Sequence, residues 1–282
     1  MKNIFKIARA FLLLAWTSIA LQAQTDSSNK SWELAKKQAV QEHKLIFVDL
    51  YFAGCVPCAK MDAEVFPDSK VTALLNTNFV LFKSDIFKEE IGKQLSMKYA
   101  ATGFPTFLLM NNDGRIIEIV SGFHTVNQLT TVLENAMANA KKGVFKKYST
   151  KEETYPEFYA DAYLKNQRNN LSFDVIDAYL KSQPSLLSEV PFVIISGLRV
   201  GGEYDDFYLK NLNTLVKDYG KSSVNNNVLT ILQRKKKIFE KENDLASFKN
   251  LLAEVKPIYS TEEWGRYETI LLKDFGVAKA VN

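Results

Sequence analysis

Cysteine is nearly missing from this chain. Two occur in 282 residues, both inside Cys55-Val56-Pro57-Cys58. A scaffold stapled by several disulfides is therefore excluded. Glycine (12) and proline (7) are scarce, which excludes a collagen-like or linker-rich architecture. Histidine occurs only as His43 and His124. The formal charge of +4 is small and makes no case for a nucleic-acid partner. What is present is ordinary for a folded chain: 46% hydrophobic, 24% charged and 12% aromatic residues. The length admits one large domain or two modest ones.

Residues 1–23 read as a cleaved signal peptide. Lys2, Lys6 and Arg9 supply a positive start, Ala10 to Leu21 a short apolar core, and small residues follow. Cleavage is expected after Ala23, with Ala20 as the second choice. A spanning helix needs roughly 20 apolar residues, more than this core offers. No cysteine lies near the cleavage site, which argues against a lipid anchor, and stable membrane insertion after cleavage is not expected. Removing three cations and no acid takes the charge from +4 to +1. The expected location is the periplasm or the cell exterior, where thiols tend to be oxidised. A Cys-x-x-Cys bridge closes too small a loop to gain much stability from loop closure, so chemistry is the better reason to keep it.

Residues 24–140 and 141–282 carry different patterns. In the first, Ser31 is expected to cap a helix running to about His43. Lys44 to Phe52 is a mostly apolar run, as in a buried central strand. Cys58 to Phe66 reads as a helix and Val71 to Asn76 as a helical turn or two. Phe79 to Asp85 is a strand, Lys88 to Tyr99 a helix and Thr106 to Met110 a strand. Asn112-Asp113-Gly114 is a turn leading into a strand over 115–120. Thr125 and Gln128 make a capping box for a helix to about Ala140. This order gives an α/β mixed sheet flanked by helices.

From 141 the chain reads as all helix. Segments near 156–167, 172–181, 185–198, 203–219, 224–240 and 243–255 are amphipathic, and Ser260 with Glu263 opens another. Thr154 with Glu157, and Pro156, mark the first start. Asp161-Ala-Tyr-Leu-Lys165 recurs as Asp177-Ala-Tyr-Leu-Lys181; the spacing of 16 matches no standard solenoid. Arg234 to Lys237 is read as a solvated basic face. Phe158, Tyr159, Tyr163, Phe207 and Tyr208 are read as core, with a docking or dimerisation face as the competing reading. This half contains no Cys and no His.

Cys55 and Cys58 follow a strand and open a helix. Free N–H groups and the partial positive charge at a helix start stabilise a thiolate. Cys55 is the expected nucleophile. Cys58, one turn later and more buried, is the expected resolving thiol. Zinc would need four ligands; there is no second cysteine pair, and neither histidine has zinc-finger spacing. An inert bridge is the other alternative. Asp49 lies in an apolar run six residues before Cys55. Burial there raises its pKa and suits it to take the proton from Cys58; a solvent-facing edge Asp is the alternative. Lys83 on the neighbouring strand is a candidate tuner of Asp49. Pro105, in Thr102-Gly103-Phe104-Pro105-Thr106, suits a cis bond that exposes the Phe104 backbone to an extended partner. An ordinary trans proline opening a strand is the alternative. His43 at a helix end and His124 before the capping box receive no catalytic role.

Residues 31–140 resemble the thioredoxin superfamily. Val48-Asp49-Leu50-Tyr51, Cys55-Val56-Pro57-Cys58, Gly103-Phe104-Pro105-Thr106, and Asn112-Asp113-Gly114 followed by Gly122 carry the resemblance. Within it, Cys55 to Cys58, Val65-Phe66 followed by Val71, and Ser121-Gly122-Phe123 resemble the soluble domain of DsbD-type periplasmic reductants and related secreted proteins. The resemblance implies a thioredoxin fold, a redox-active Cys55/Cys58 pair, a buried Asp49 and a cis Pro105. Gly54 stands where the family usually has Trp, which leaves Cys55 less shielded; Tyr51 is the candidate substitute cover. Val56 replaces the usual Gly between the cysteines, and Ala59 the usual basic residue after them.

The functional expectation is an extracytoplasmic protein-disulfide reductase. Val56-Pro57 offers the sulfur no donor or charge, and Val56 adds apolar surface that disfavours the thiolate. Gly54, Val56, Pro57, Phe104 and Pro105 are expected to meet the client, a disulfide-containing protein. No cofactor is implied, because the dithiol carries both electrons. The resemblance suggests a membrane thiol-transfer protein as electron donor. The competing readings are a disulfide oxidase or isomerase, and a binding module whose helical half grips a partner.

Overall fold

The computed structural model describes residues 31–151, 153–167, 171–273 and 275. The expected signal peptide lies outside the described residues. Contacts divide the chain into two units. The first holds the described residues up to Ser96, then Phe104–Ile117 and Gly122–Phe145; the second holds Met97–Gly103, Glu118–Ser121 and the described residues from Lys146.

The first unit is a mixed four-stranded sheet with helices. Residues 31–41 form α1. Ser31 is already helical, so it is not the cap expected of it. β1 (Leu45–Tyr51) is followed by α2 (Val56–Lys60), a π turn (Met61–Val65) and α3 (Ser69–Asn78). Then come β2 (Phe79–Asp85), α4 (Glu90–Lys98), β3 (Thr106–Met110), β4 (Ile116–Ser121) and α5 (Val126–Lys141). Strand order is β2-β1-β3-β4. β1 runs parallel to β2, pairing Asp49 with Lys83. It runs antiparallel to β3, pairing Asp49 with Phe107.

β1 is central because Ile46, Phe47, Val48 and Leu50 are apolar on both faces, and all four are buried. α3 begins where Asp68 accepts the Lys70 and Val71 N–H groups, at 2.9 and 3.3 Å. α5 opens on the expected Thr125/Gln128 capping box. Phe47, Phe66 and Phe107 meet in one aromatic cluster, with centroids 5.1–6.2 Å apart. Side chains alternate along a strand, so Phe47 and Asp49 share a face. That face is therefore the one covered by the helix that begins at the cysteines.

The second unit is helical apart from its short share of β4. It contains α6 (Glu157–Leu164), α7 (Phe173–Lys181), α8 (Glu189–Leu198), α9 (Glu203–Lys210), α10 (Leu212–Tyr219), α11 (Lys221–Glu242), α12 (Leu245–Val255) and α13 (Thr261–Leu272). The segment expected as one helix over 203–219 breaks at Asn211, which leaves helical geometry at φ −103°, ψ 14°. Pro156 itself sits at the N-cap of α6, ahead of the position expected for it, and Thr154 lies two residues further out. The Ser260/Glu263 capping box forms. Both copies of the repeated Asp-Ala-Tyr-Leu-Lys carry an internal ion pair, Lys165–Asp161 at 2.9 Å and Lys181–Asp177 at 2.8 Å.

Phe192 and Tyr219 stack at 3.9 Å in its core. Tyr159, Tyr163 and Tyr208 are buried as expected of core, while Phe158 and Phe207 are half-buried. The basic run is largely paired rather than an open solvated face. Arg234 forks onto buried Asp205 at 2.5 and 2.8 Å, Lys235 meets Asp206, and Lys236 meets Glu240 at 3.6 Å. Among the described residues, no helix is long and apolar enough to cross a membrane.

Candidate active site

β1 ends at Tyr51, and the chain turns through Phe52, Ala53 and Gly54 to Cys55. The Cys55 N–H donates to the Phe52 carbonyl at 3.1 Å, closing the turn. Gly54 has φ +91°, a conformation that strains any residue with a Cβ. Nothing lies within 4 Å of the Cβ it lacks. The preference for glycine is thus one of backbone conformation, not of room.

Cys55 is the N-cap of α2, and its Sγ accepts the Cys58 N–H at 3.2 Å. Pro57 occupies the first turn, where a missing N–H costs nothing. Cys55 and Cys58 are joined in a disulfide with Cα atoms 5.3 Å apart. The two are buried alike, at 5% and 4% exposure, so the expected difference between them is absent from the oxidised pair. Val56 is 77% exposed, and projects into solvent more than it covers the sulfurs.

Asp49 is buried on β1, on the face that the cysteine helix covers. Its Oδ2 lies 3.2 Å from Lys83 Nζ, and its Oδ1 has no hydrogen-bond partner among the described residues. Burial pushes its pKa up to about 6, against the pull of the Lys83 ammonium. Lys83 also donates to both oxygens of Asp62, at 2.6 and 2.8 Å. Burial alone would depress the Lys83 pKa. The bonds to Asp62 and Asp49 outweigh it and the net direction is upward.

The Phe104–Pro105 peptide is cis. The Pro105 carbonyl accepts the Gly122 N–H at 2.8 Å, and the Gly122 carbonyl lies 2.9 Å from His124 Nδ1. The His124 N–H points to Met61 Sδ at 3.4 Å, and Lys60 lies 4.5 Å over the Phe123 ring. These contacts tie the proline loop to the helix just beyond Cys58.

The Tyr51 ring lies under the Lys83 ammonium at 4.7 Å. Phe52 is the next aromatic along the turn toward Cys55. It meets Phe104 edge-on and Phe87 tilted, both at 5.6 Å, and Phe87 is exposed. Buried Asp85 holds the two loops in place: its carboxylate accepts the N–H groups of Ala53 (3.1 Å), Phe87 (2.9 Å) and Lys88 (3.2 Å). Sequence reasoning gave no role to Phe52, Asp62, Asp85 or Phe87. The available signal was an acid closing an apolar strand, Phe79 to Asp85.

Residues 32–137 match the family model described as a thioredoxin-like domain. Among curated proteins, the chain is 29% identical over 83 residues to a protein disulfide-isomerase of Datisca glomerata, covering 29% of this chain and 16% of that protein. It is 27% identical over 107 residues to a protein disulfide-isomerase of Zea mays, covering 38% of this chain and 21% of that one. The chain thus spans about a fifth or less of the length of these relatives. Among solved structures, the oxidised C-terminal domain of DsbD from Neisseria meningitidis is 22% identical, with TM-score 0.35, over 38% of this chain and 95% of its own. The region over 32–137 belongs to the thioredoxin superfamily.

Proposed function

We propose that this chain is a thiol–disulfide oxidoreductase that works outside the cytoplasm and reduces disulfides in client proteins. The observation that carries the reading is the Cys55–Cys58 bridge at a helix start, with the Cys58 N–H aimed at Cys55 Sγ at 3.2 Å. In the reduced pair that N–H and the helix start favour a Cys55 thiolate. The thiolate attacks one sulfur of the client disulfide, forming a mixed disulfide, and the other client sulfur leaves as a thiolate. Cys58 loses its proton to Asp49 and attacks Cys55 Sγ. The second client thiolate leaves and the Cys55–Cys58 disulfide forms. Two electrons have passed to the client. A further dithiol must restore the pair, and a membrane thiol-transfer protein is the proposed donor. The chain itself needs no cofactor.

The reducing direction rests on Val56-Pro57, which brings no charge or side-chain donor to the sulfurs. The location rests on the signal-like 1–23 segment. The domain scheme proposed is 1–23 for export, 24–140 for exchange, and 141–282 as a helical domain, with a partner or a second copy as its candidate contact. Phe104 and Pro105 are proposed to receive the client backbone beside Gly54, Val56 and Pro57. The name of the curated relatives favours a second reading, a disulfide isomerase.

Trapping tests the exchange scheme. Cys58→Ser protein, reduced and mixed with insulin, is expected to accumulate a mixed disulfide through Cys55, because the resolving thiol is gone. Cys55→Ser protein is expected to trap none. Trapping through Cys58, or no trapping by either variant, overturns the scheme.

A further inference from the structure

The exchange scheme uses Asp49 and leaves Asp62 without a role. Asp62 lies in the π turn four residues after Cys58. Its carboxylate grips Lys83 Nζ with both oxygens, at 2.6 and 2.8 Å. The same ammonium reaches Asp49 with one contact at 3.2 Å. The two acids differ sharply in exposure, at 8% for the Asp49 side chain and 50% for that of Asp62. A cation beside a buried carboxylate would ordinarily turn to it, since burial strengthens the attraction. Here the exposed acid holds it more closely.

We propose that Asp62 is a positioning residue: by taking the two shorter bonds of Lys83 it weakens the hold of that shared ammonium on Asp49, and so keeps the buried carboxyl protonated to a higher pH than Lys83 alone would allow. Asp62 thereby sets the pH range over which Cys58 resolves the mixed disulfide. This rests on the exchange reading, with Asp49 as the proton acceptor. The charge of Asp62 itself also pushes the Asp49 pKa upward, in the same direction. The other charged or titratable groups on this side are few. Tyr51 on β1 faces Lys83, and Asp85 and Glu89 act on Tyr51. On β3 the partner of Asp49 is the apolar Phe107, with the His124 ring 6.2 Å beyond it.

The test is the titration of the Asp49 carboxyl carbon by NMR in the oxidised full-length protein, which needs no client. Asp62→Asn is expected to move the midpoint down by several tenths of a pH unit, because Lys83 is released to Asp49. Lys83→Met is expected to move it up, and Asp62→Glu to restore it. In the Lys83→Met background, Asp62→Asn is expected to shift it less than in the parent, since the cation through which Asp62 acts is gone. An Asp62→Asn midpoint that stays put or rises overturns the proposal. So does an equal downward shift in both backgrounds, which would reduce Asp62 to a distant charge. The pH profile of mixed-disulfide release then tests the exchange reading separately. If Asp49 titrates as expected and the profile does not follow it, Asp49 is not the proton acceptor and the positioning of Lys83 still stands.

Discussion

Asp49 shows how one residue ties stability to chemistry. Burial holds its carboxyl neutral up to about pH 6. In an unfolded chain it ionises near its ordinary value of about 3.9. Between those values the folded chain binds more protons than the unfolded one. Stability therefore falls as pH rises through that window. Above it the fold carries a buried carboxylate at a cost on the order of 3 kcal/mol. Asp49→Asn is accordingly expected to raise the melting temperature of the oxidised protein at pH 7.5, with little change at pH 4, while slowing client reduction. Calorimetry at the two pH values checks this; an equal shift at both would contradict the linkage. Asp49 was legible in the sequence because an acid in an apolar run is conspicuous, and Lys83 because it sits on the next strand. The grip of Asp62 on Lys83 was not, since it joins side chains 21 residues apart across a helix and a strand. The packing of Phe52 against Phe87 and Phe104 was not legible either, since it joins separate loops. Tyr51 follows Asp49 by two on β1, so alternation puts it on the same face, and its ring lies against Lys83.

At the scale of elements, local chemistry was read well where a side chain closes the backbone. The capping boxes at Thr125 and Ser260 fixed the starts of α5 and α13. The π turn left no such mark. It is defined by the Phe66 N–H reaching the Met61 carbonyl at 3.0 Å, a backbone choice with no residue signature. The break between α9 and α10 was likewise hidden, because both helices are amphipathic and only Asn211 separates them. Close approach of elements was also invisible. Gly92 in α4 packs so tightly that a Cβ would lie 2.8 Å from the Asp85 carbonyl oxygen and 2.8 Å from Ser84 Oγ. Gly92→Ala should push α4 off the loop that Asp85 organises. The expected loss is about 1–3 kcal/mol in urea unfolding. A change within about 0.5 kcal/mol, as at an ordinary surface site, would show that the contact yields easily.

For the whole molecule, the fold class was legible for both parts: an α/β sheet flanked by helices, then helices alone. The point of division was less so. Expectation placed it between residues 140 and 141. Contacts instead assign Met97–Gly103 and Glu118–Ser121 to the same unit as the C-terminal helices. Within that unit the Tyr159 hydroxyl donates to the Met97 carbonyl at 2.7 Å, and the Ser121 N–H to Ser222 Oγ at 2.9 Å. Such bonds join residues 62 and 101 positions apart, and no local pattern announces them. The central claim, that this chain gives electrons to client disulfides, is a property of the intact molecule and is tested by one number. The reduction potential of the Cys55/Cys58 pair in the full chain, equilibrated against glutathione, is expected near that of thioredoxin, about −270 mV. A value near about −180 mV, as in protein disulfide isomerase, or near about −120 mV, as in DsbA, would contradict it and make the chain an isomerase or a donor of disulfides.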